Sequence, residues 1–117
     1  MPSAEKNSTA FLVMDRNGMV VDWSPGAEAV FGWSRGQAIG ARLSKLIIPE
    51  RFRAAHDAGL SRFATTGQGG AFLGKTMEIV AIDREGREFP IEITISTESA
   101  PEGPRFRTVA RRAEQAS

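Results

Sequence analysis

The chain has 117 residues, of which 41% are hydrophobic, and these values suit one globular domain with a modest core. Lysine and arginine number 15 and aspartate and glutamate 14, so a net charge of +1 gives no global electrostatic case for nucleic acid or an anionic membrane. The absence of cysteine excludes disulfides, zinc–thiolate sites, iron–sulfur clusters and thiol catalysis.

Both ends of the chain are polar. No apolar run approaches the roughly 20 residues that a membrane span needs, and the first residues lack the apolar centre of a secretion signal. We expect a cytoplasmic domain over residues 9–112. Residues 1–8 are predicted to be a flexible N-terminal segment, and residues 113–117 the remnant of a linker.

The first third of the chain predicts a β-hairpin followed by short helices. Residues 10–14 and 19–23 are apolar and flank Asp15-Arg16-Asn17-Gly18, whose Asn-Gly pair supplies the positive φ of a tight turn. Ser24 and Pro25 indicate a helix start, because an N-cap residue precedes proline at the first helical position. Glycines then divide residues 25–47 into short helices.

The second half predicts one longer helix and three strands. Residues recurring at steps of three and four after Pro49 predict one buried helix face, made of Phe52, Ala55, His56, Gly59, Leu60, Phe63 and Ala64. The period then changes to two over residues 77–82, 89–96 and 105–112. The order predicts an α+β fold, a five-stranded antiparallel sheet with short helices and one longer helix packed on one face.

A phosphate-loop pattern at residues 69–76 does not predict a nucleotide site. The stretch satisfies G-x-x-x-x-G-K-[ST], and the apolar run after it ends in Asp83, as a magnesium-binding strand would. A phosphate loop must follow a strand and open a helix, whose free N–H groups hold the phosphates. Here a predicted helix precedes the loop and a strand follows it, so we interpret the stretch as a glycine-rich connection.

Two stretches carry a resemblance to a known family. Residues 11–40 read FLVMDRNGMVVDWSPGAEAVFGWSRGQAIG, a hairpin followed by a helix ending in Phe-Gly-Trp-Ser and then by Ile-Gly. Residues 78–96 read EIVAIDREGREFPIEITIS, a hairpin with an Asp-x-x-Gly turn and a Phe-Pro-Ile-Glu strand. In this order they resemble the PAS family of sensor domains, and the resemblance covers residues 9–112.

Two positions depart from the family pattern. Ser24 stands where many relatives carry asparagine. Arg112 stands where many carry the acidic residue of a closing Arg-Asp-Ile-Thr, which puts the family's usual salt bridge at the domain exit, and its mode of coupling, in question.

The resemblance implies a sensory or protein-interaction module, not an enzyme, that belongs to a histidine kinase, a cyclase or a transcriptional regulator. It also implies a sheet folded over the helices with a space between them. The residues expected to line this space are His56, Leu60, Phe63, Met77, Ile79, Ile91 and Ile93. They either fill it as solid core or leave a pocket for a small apolar ligand, such as a metabolite or a fatty acid.

Three cofactor states follow from the resemblance, and the absence of any cofactor is the leading expectation. Haem is an alternative, since in haem-binding PAS domains a histidine on the long helix ligates iron, and His56 falls there. Non-covalent flavin is another, with Trp23 or Trp33 as a ring partner, although packing is the favoured role of Trp33. The cysteine-dependent flavin photochemistry of the light-sensing subfamily is excluded.

The outer sheet face is the predicted interaction surface. Val80 and Ile82 would be exposed there, and Arg105 and Arg107 belong to a basic stripe on the last strand, which we interpret as a solvated face. We expect a homodimer through the sheet face or the N-terminal segment, a covalently linked output domain, and no direct contact with nucleic acid or membrane.

Overall fold

A computed structural model describes the backbone of residues 9–66 and 74–113, and the side chains of these residues except 59–66. The predicted flexible segment at 1–8 and most of the predicted linker at 113–117 therefore lie outside the described residues. Within them, the elements in chain order are β1 (Ala10–Met14), β2 (Val20–Trp23), α1 (Pro25–Phe31), α2 (Arg35–Ala38), α3 (Leu43–Ile47), α4 (Glu50–Thr66), β3 (Thr76–Ile82), β4 (Glu88–Glu98) and β5 (Arg105–Arg112).

The strands form one antiparallel sheet in the order β2-β1-β5-β4-β3. The first and last strands of the chain are neighbours at its centre, where Leu12 pairs with Thr108 and Ala10 with Ala110. Helices α1, α2 and α3 pack on β1, β2 and β3. The face that carries these helices is called the inner face, and the opposite one the outer face. The predicted α+β fold with a five-stranded antiparallel sheet is confirmed.

Two hairpin turns are built alike from Asp-Arg-x-Gly. In the first, Oδ1 of Asp15 accepts hydrogen bonds from the backbone N–H groups of Asn17 and Met19, at 2.9 and 3.0 Å. In the second, Oδ1 of Asp83 accepts from Glu85 and Arg87 at 2.9 and 3.0 Å. Glycine ends each turn with a φ of 86° or 85°, a conformation that other residues rarely adopt. Each turn is therefore fixed within five consecutive residues.

Aromatic residues form the centre of the core. The Trp23 and Phe31 rings lie 5.7 Å apart, and the Phe31 and Phe89 rings 6.2 Å apart, so β2, α1 and β4 meet there. Trp23 is 1% exposed and Phe31 fully buried. The indole N–H of Trp23 donates to the backbone carbonyl of Trp33 at 2.9 Å, which satisfies its one polar group.

Over its described side chains, residues 50–58, the long helix buries a side that agrees with the prediction at His56 and differs from it at Phe52 and Ala55. Phe52 is 43% exposed and Ala55 is exposed, whereas Arg53, His56 and Asp57 are half-buried. The reason is tertiary: Nε of Arg53 donates to the backbone carbonyls of Ser44 and Ile48 at 3.0 and 2.8 Å, which satisfies the free carbonyls of α3 and holds this side of α4 against it. The predicted apolar face is thus wrong at Phe52 and Ala55.

Candidate functional site

Four of the predicted pocket residues form two adjacent cross-strand pairs on the inner face. Met77 of β3 pairs with Ile93 of β4, and Ile79 pairs with Ile91. Ile91 and Ile93 are 0% and 7% exposed, whereas Met77 and Ile79 are only half-buried. The inner face is therefore closed over Ile91 and Ile93 of β4 and partly open over Met77 and Ile79 of β3. The side chains of two further candidates, Leu60 and Phe63, lie outside the described residues.

His56 lies on the half-buried side of α4, with 29% of its side chain exposed. Its Nδ1 atom is buried and forms no hydrogen bond, and Oδ1 of Asp57 lies 3.5 Å away. Buried polar atoms without a partner are rare in folded proteins, because they lose a bond to water and gain none. His56 thus has an unused hydrogen-bonding atom inside the protein.

Ser44 in α3 is a second interior polar residue, and the sequence analysis missed it. Ser44 is 1% exposed, and its Oγ atom is buried without a hydrogen-bond partner. It lies within the apolar stretch Leu-Ser-Lys-Leu-Ile of α3. A lone serine among buried leucines and isoleucines was the available signal, although a serine in a short helix more often faces water.

The two tryptophans have structural partners. The indole N–H of Trp33 donates to the backbone carbonyl of Leu46 at 3.1 Å, and its ring lies 5.8 Å from the guanidinium of Arg84. Trp33 therefore joins α3, the turn after β3 and the end of α1, as a packing anchor does. With the Trp23 indole bonded to Trp33 as well, both indole N–H groups are already used.

The four residues of the predicted interaction surface are not brought together. Val80 and Ile82 lie on edge strand β3, where Val80 pairs with Pro90 of β4. Arg107 pairs with Ser96, six residues further along β4, which is about 20 Å away along a strand. Val80 is 37% exposed and Ile82 is half-buried. The surface predicted from the sequence is therefore two separate regions.

The arginines of β5 on the outer face are paired with carboxylates. Nε of Arg107 lies 3.4 Å from Glu98, Nη2 of Arg111 lies 3.2 Å from Glu92, and Nε of Arg105 donates to Glu102 at 2.7 Å. The basic stripe is thus neutralised by its neighbours, in agreement with its interpretation as a solvated face.

A groove of about 470 Å³ crosses the outer face over β1 and β5. Its apolar floor includes Phe11 and Val109, which are a cross-strand pair and are 50% and 39% exposed. Asp22, Glu98 and Arg107 provide charged groups along it. We call these five residues the outer groove. The sequence analysis missed Phe11 and Val109, although their alternation with buried Leu12 and Thr108 places both on the outer face.

Asp83 has a structural role in its turn. Desolvation by burial raises its pKa, but the N–H groups of Arg87 and Glu85 and the Arg87 guanidinium outweigh this and hold the pKa below its ordinary value. Its oxygens are occupied by these donors, with Nε of Arg87 3.2 Å from Oδ2. Residues 69–73 of the phosphate-loop pattern lie outside the described residues, and its last residue, Thr76, begins strand β3, so a strand and not a helix opens there. The interpretation of that pattern as a connection agrees with this order.

The exit of the domain is held by a cation–π contact. The guanidinium of Arg112, at the end of β5, lies 4.0 Å from the centroid of the Phe89 ring. The backbone N–H of the next residue, Ala113, donates to the carbonyl of Pro90 at 3.0 Å. Arg112, which replaces the family's acidic residue, therefore contacts an aromatic ring of the core.

Neither a metal centre nor a membrane span is found in the part of the chain that the structure describes. Over residues 9–66 and 74–113, no three His, Cys, Asp or Glu side chains gather as metal ligands would. The helices of the same residues are too short or too polar to cross a bilayer.

Comparison with known proteins agrees with this fold. A family model described as the PAS fold matches residues 4–109. The chain therefore belongs to the PAS family, whose members are sensory modules.

Two relatives and one solved structure illustrate the similarity. The sensor protein FixL of Bradyrhizobium diazoefficiens is 32% identical over 97 residues, which are 83% of this chain and 19% of FixL. An uncharacterized protein of Azorhizobium caulinodans is 32% identical over 91 residues, 78% of this chain and 12% of that protein. The PAS domain of the quorum-sensing receptor RpfR from Cronobacter turicensis, solved in complex with C12:0, has a TM-score of 0.68 at 13% identity and covers 92% of this chain and 95% of that one. The chain thus spans less than a fifth of both sequence relatives.

Proposed function

We propose that the chain is the ligand-sensing PAS module of a larger signal-transduction protein, and that it passes its state to a linked output domain such as a histidine kinase, a cyclase or a transcriptional regulator. The observation that carries the proposal is the partly open inner face over β3, where Met77 and Ile79 stay partly accessible on the side of the sheet that carries the core. The 32% identity with a sensor protein supports the sensory role. The bound C12:0 of a structural neighbour supports a small apolar ligand.

Catalysis is assigned to the output domain. Asp83 and Arg53, two of the charged residues of the described part of the chain, are engaged in a turn and in a contact between helices.

A matched pair of substitutions tests the ligand site. Ile79→Trp fills the open part of the inner face, whereas Val80→Trp adds the same ring to the outer face one residue later. We expect the apolar fluorescent probe N-phenyl-1-naphthylamine to bind the unaltered protein and the Val80 variant, and to lose at least tenfold in affinity for the Ile79 variant. Equal binding by both variants would place the ligand elsewhere, and no binding by the unaltered protein would remove the site.

Haem is a second candidate, and the place of His56 on the half-buried side of α4, with Asp57 beside its Nδ1 atom, favours it. Neutral imidazole is a common axial ligand of haem iron, and such a ligand often donates its other N–H to a carboxylate. The residues fit in this respect, because Asp57 lies beside the ring. Bound haem would supply an iron that takes up a gas or changes its redox state. His56 would hold it.

An absorption spectrum recorded after haem reconstitution tests this candidate. A Soret band with one haem per chain, lost in His56→Ala and kept in Asp57→Asn, is the expected result for a haem sensor. A spectrum without stoichiometric haem uptake would leave the colourless apolar ligand as the function.

Self-association through the outer groove is the proposed mode of partner binding. Phe11 and Val109 form an accessible apolar centre with charges of both signs around it, so a second copy would meet complementary groups. We expect Phe11→Ser to weaken the dimer at least tenfold in sedimentation equilibrium. Phe52→Ser, at a similarly exposed phenylalanine on α4, serves as the control. An unchanged dimer in the Phe11 variant would assign association to another surface.

A further inference from the structure

Two polar atoms in the interior have no hydrogen-bond partner. Among the described residues, the buried side-chain atoms in this condition are Oγ of Ser44 and Nδ1 of His56. Other interior polar groups, such as the Asp83 carboxylate and the tryptophan N–H groups, are satisfied. A buried hydroxyl that bonds to nothing is destabilising, so this pair calls for a partner from outside the chain.

The two residues lie at the same junction of the fold. Helix α3 packs on both α4 and β3. Nε of Arg53 in α4 donates to the backbone carbonyl of Ser44 at 3.0 Å, and His56 follows Arg53 by three residues, on the same side of the helix. His56 is half-buried on this side of α4, whereas Ala55 and Ala58 are exposed. Both unused atoms thus belong to helices α3 and α4, which pack on each other, and α3 also contacts β3.

We propose that Ser44 and His56 form a polar anchor for the ligand, an uncharged hydrogen-bonding group at the end of an apolar body. This inference rests on the proposed function and adds the chemical class of the ligand to it. The accessible side chains of Met77 and Ile79 contact the apolar body. The Ser44 hydroxyl donates to or accepts from the ligand's end group, and the His56 nitrogen supplies the second bond.

The charges around the anchor select a neutral end group. The carboxylate of Asp57 lies 3.5 Å from the unused nitrogen of His56 and would repel an anion. The nearby guanidinium of Arg53 keeps its positive charge, but its Nε and Nη2 atoms donate to the carbonyls of Ser44, Ile48 and Lys45, so these donors are not available to an anion. The site therefore prefers an alcohol or an amide to a carboxylate.

Competition with the bound fluorescent probe tests the anchor. We would measure how well 1-decanol, decanoate and 1-decene displace N-phenyl-1-naphthylamine at neutral pH, and take the ratio of decanol to decene affinity as the readout. One hydrogen bond corresponds to about a three- to tenfold change in affinity. We expect Ser44→Ala and His56→Phe each to lower the ratio by about this factor, with decene affinity unchanged. Ser96→Ala, on the outer face, is the matched control and should keep the full ratio.

The outcomes separate the anchor from the proposed function. A ratio unchanged in both variants, or decanoate favoured over decanol, overturns the anchor while probe binding upholds the pocket. Failure of every probe to bind overturns both. Thermal melting of Ser44→Ala gives an independent readout, because removing a hydroxyl that has no partner should leave the melting temperature equal or higher. A clear fall would show that the hydroxyl already has a partner in the free protein.

Discussion

Glycine at position 26 is required by the close approach of another part of the backbone. A Cβ atom built there would lie 1.9 Å from the carbonyl oxygen of Thr9, which precedes β1. The contact follows from the Ser24 cap, whose Oγ accepts the N–H of Phe11 at 2.9 Å as well as that of Ala27 in the first turn of α1 at 3.1 Å. The start of α1 and the start of β1 are thereby held together.

We expect Gly26→Ala to lower the free energy of unfolding by about 2 kcal/mol or more, because overpacking against backbone cannot be relieved by a rotamer change. Gly36→Ala is the control, since a Cβ there meets nothing within 4 Å and alanine favours the helical state. Urea denaturation of both variants measures the effect. Equal stability of the two variants would show that the backbone before β1 moves away from the added Cβ atom without a loss of stability.

Asp83 makes stability depend on acid pH. Its folded-state pKa lies below the ordinary value of 3.8, so its contribution is fully present above that value and is lost as the pH falls through the folded-state pKa. At pH 7 we expect Asp83→Asn to cost about 1 kcal/mol, since the bonds to Arg87 weaken. The cost should shrink below about pH 4.

Urea denaturation between pH 7 and pH 2.5 checks this dependence. Glu78→Gln is the control, because that side chain is exposed on the edge strand β3. A difference between the unaltered protein and Asp83→Asn that stays constant over this range would contradict the assignment.

At the scale of elements, the attachments of α4 and β5 are made by arginine. Arg53 binds the end of α3, and Arg51 forms two hydrogen bonds with Glu88 of β4, at 2.6 and 2.8 Å. The bond with Arg51 lowers the pKa of Glu88. Arg112 lies over Phe89, the residue after Glu88. The beginning of β4 is therefore where the long helix and the domain exit both meet the sheet.

This arrangement predicts how the exit is held. Arg112→Ala should lower the free energy of unfolding by about 0.5–1 kcal/mol, the value of a cation–π contact at an exposed site. It should also raise the hydrogen-exchange rate of the Ala113 amide about threefold, because that amide bonds to Pro90 beside Phe89. Arg107→Ala, at an exposed pair on the same strand, is the control. Unchanged exchange at Ala113 would mean that the backbone bond alone holds the exit.

At the scale of the whole molecule, the proposed ligand site and the proposed dimer surface lie on opposite faces of the sheet. The inner face, partly open over β3, takes the proposed ligand, and the outer groove over β1 and β5 takes the proposed second copy. Strand β5 is part of the outer groove and ends at Arg112, which contacts Phe89 of β4, the strand beside β3. The domain exit is therefore in contact with the strands of both regions.

The sequence by itself determined the features that depend on interactions between residues close together in the chain. The Asp-Arg-x-Gly turns, the Ser24 cap followed by Pro25 and the strict alternation of β4 depend on residues within a few positions of one another, so local patterns predicted them. The PAS resemblance supplied the arrangement, which the sheet order confirmed.

Only the tertiary structure decided which side of α4 faces inward over residues 50–58 and why Gly26 is required. Each of these depends on a contact between residues far apart in the chain, such as Arg53 with Ser44 or Gly26 with Thr9. Helical spacing predicted Phe52 as buried because periodicity counts apolar residues. Periodicity does not take into account that Arg53 can turn inward, because its guanidinium donates hydrogen bonds to backbone carbonyls of the neighbouring helix.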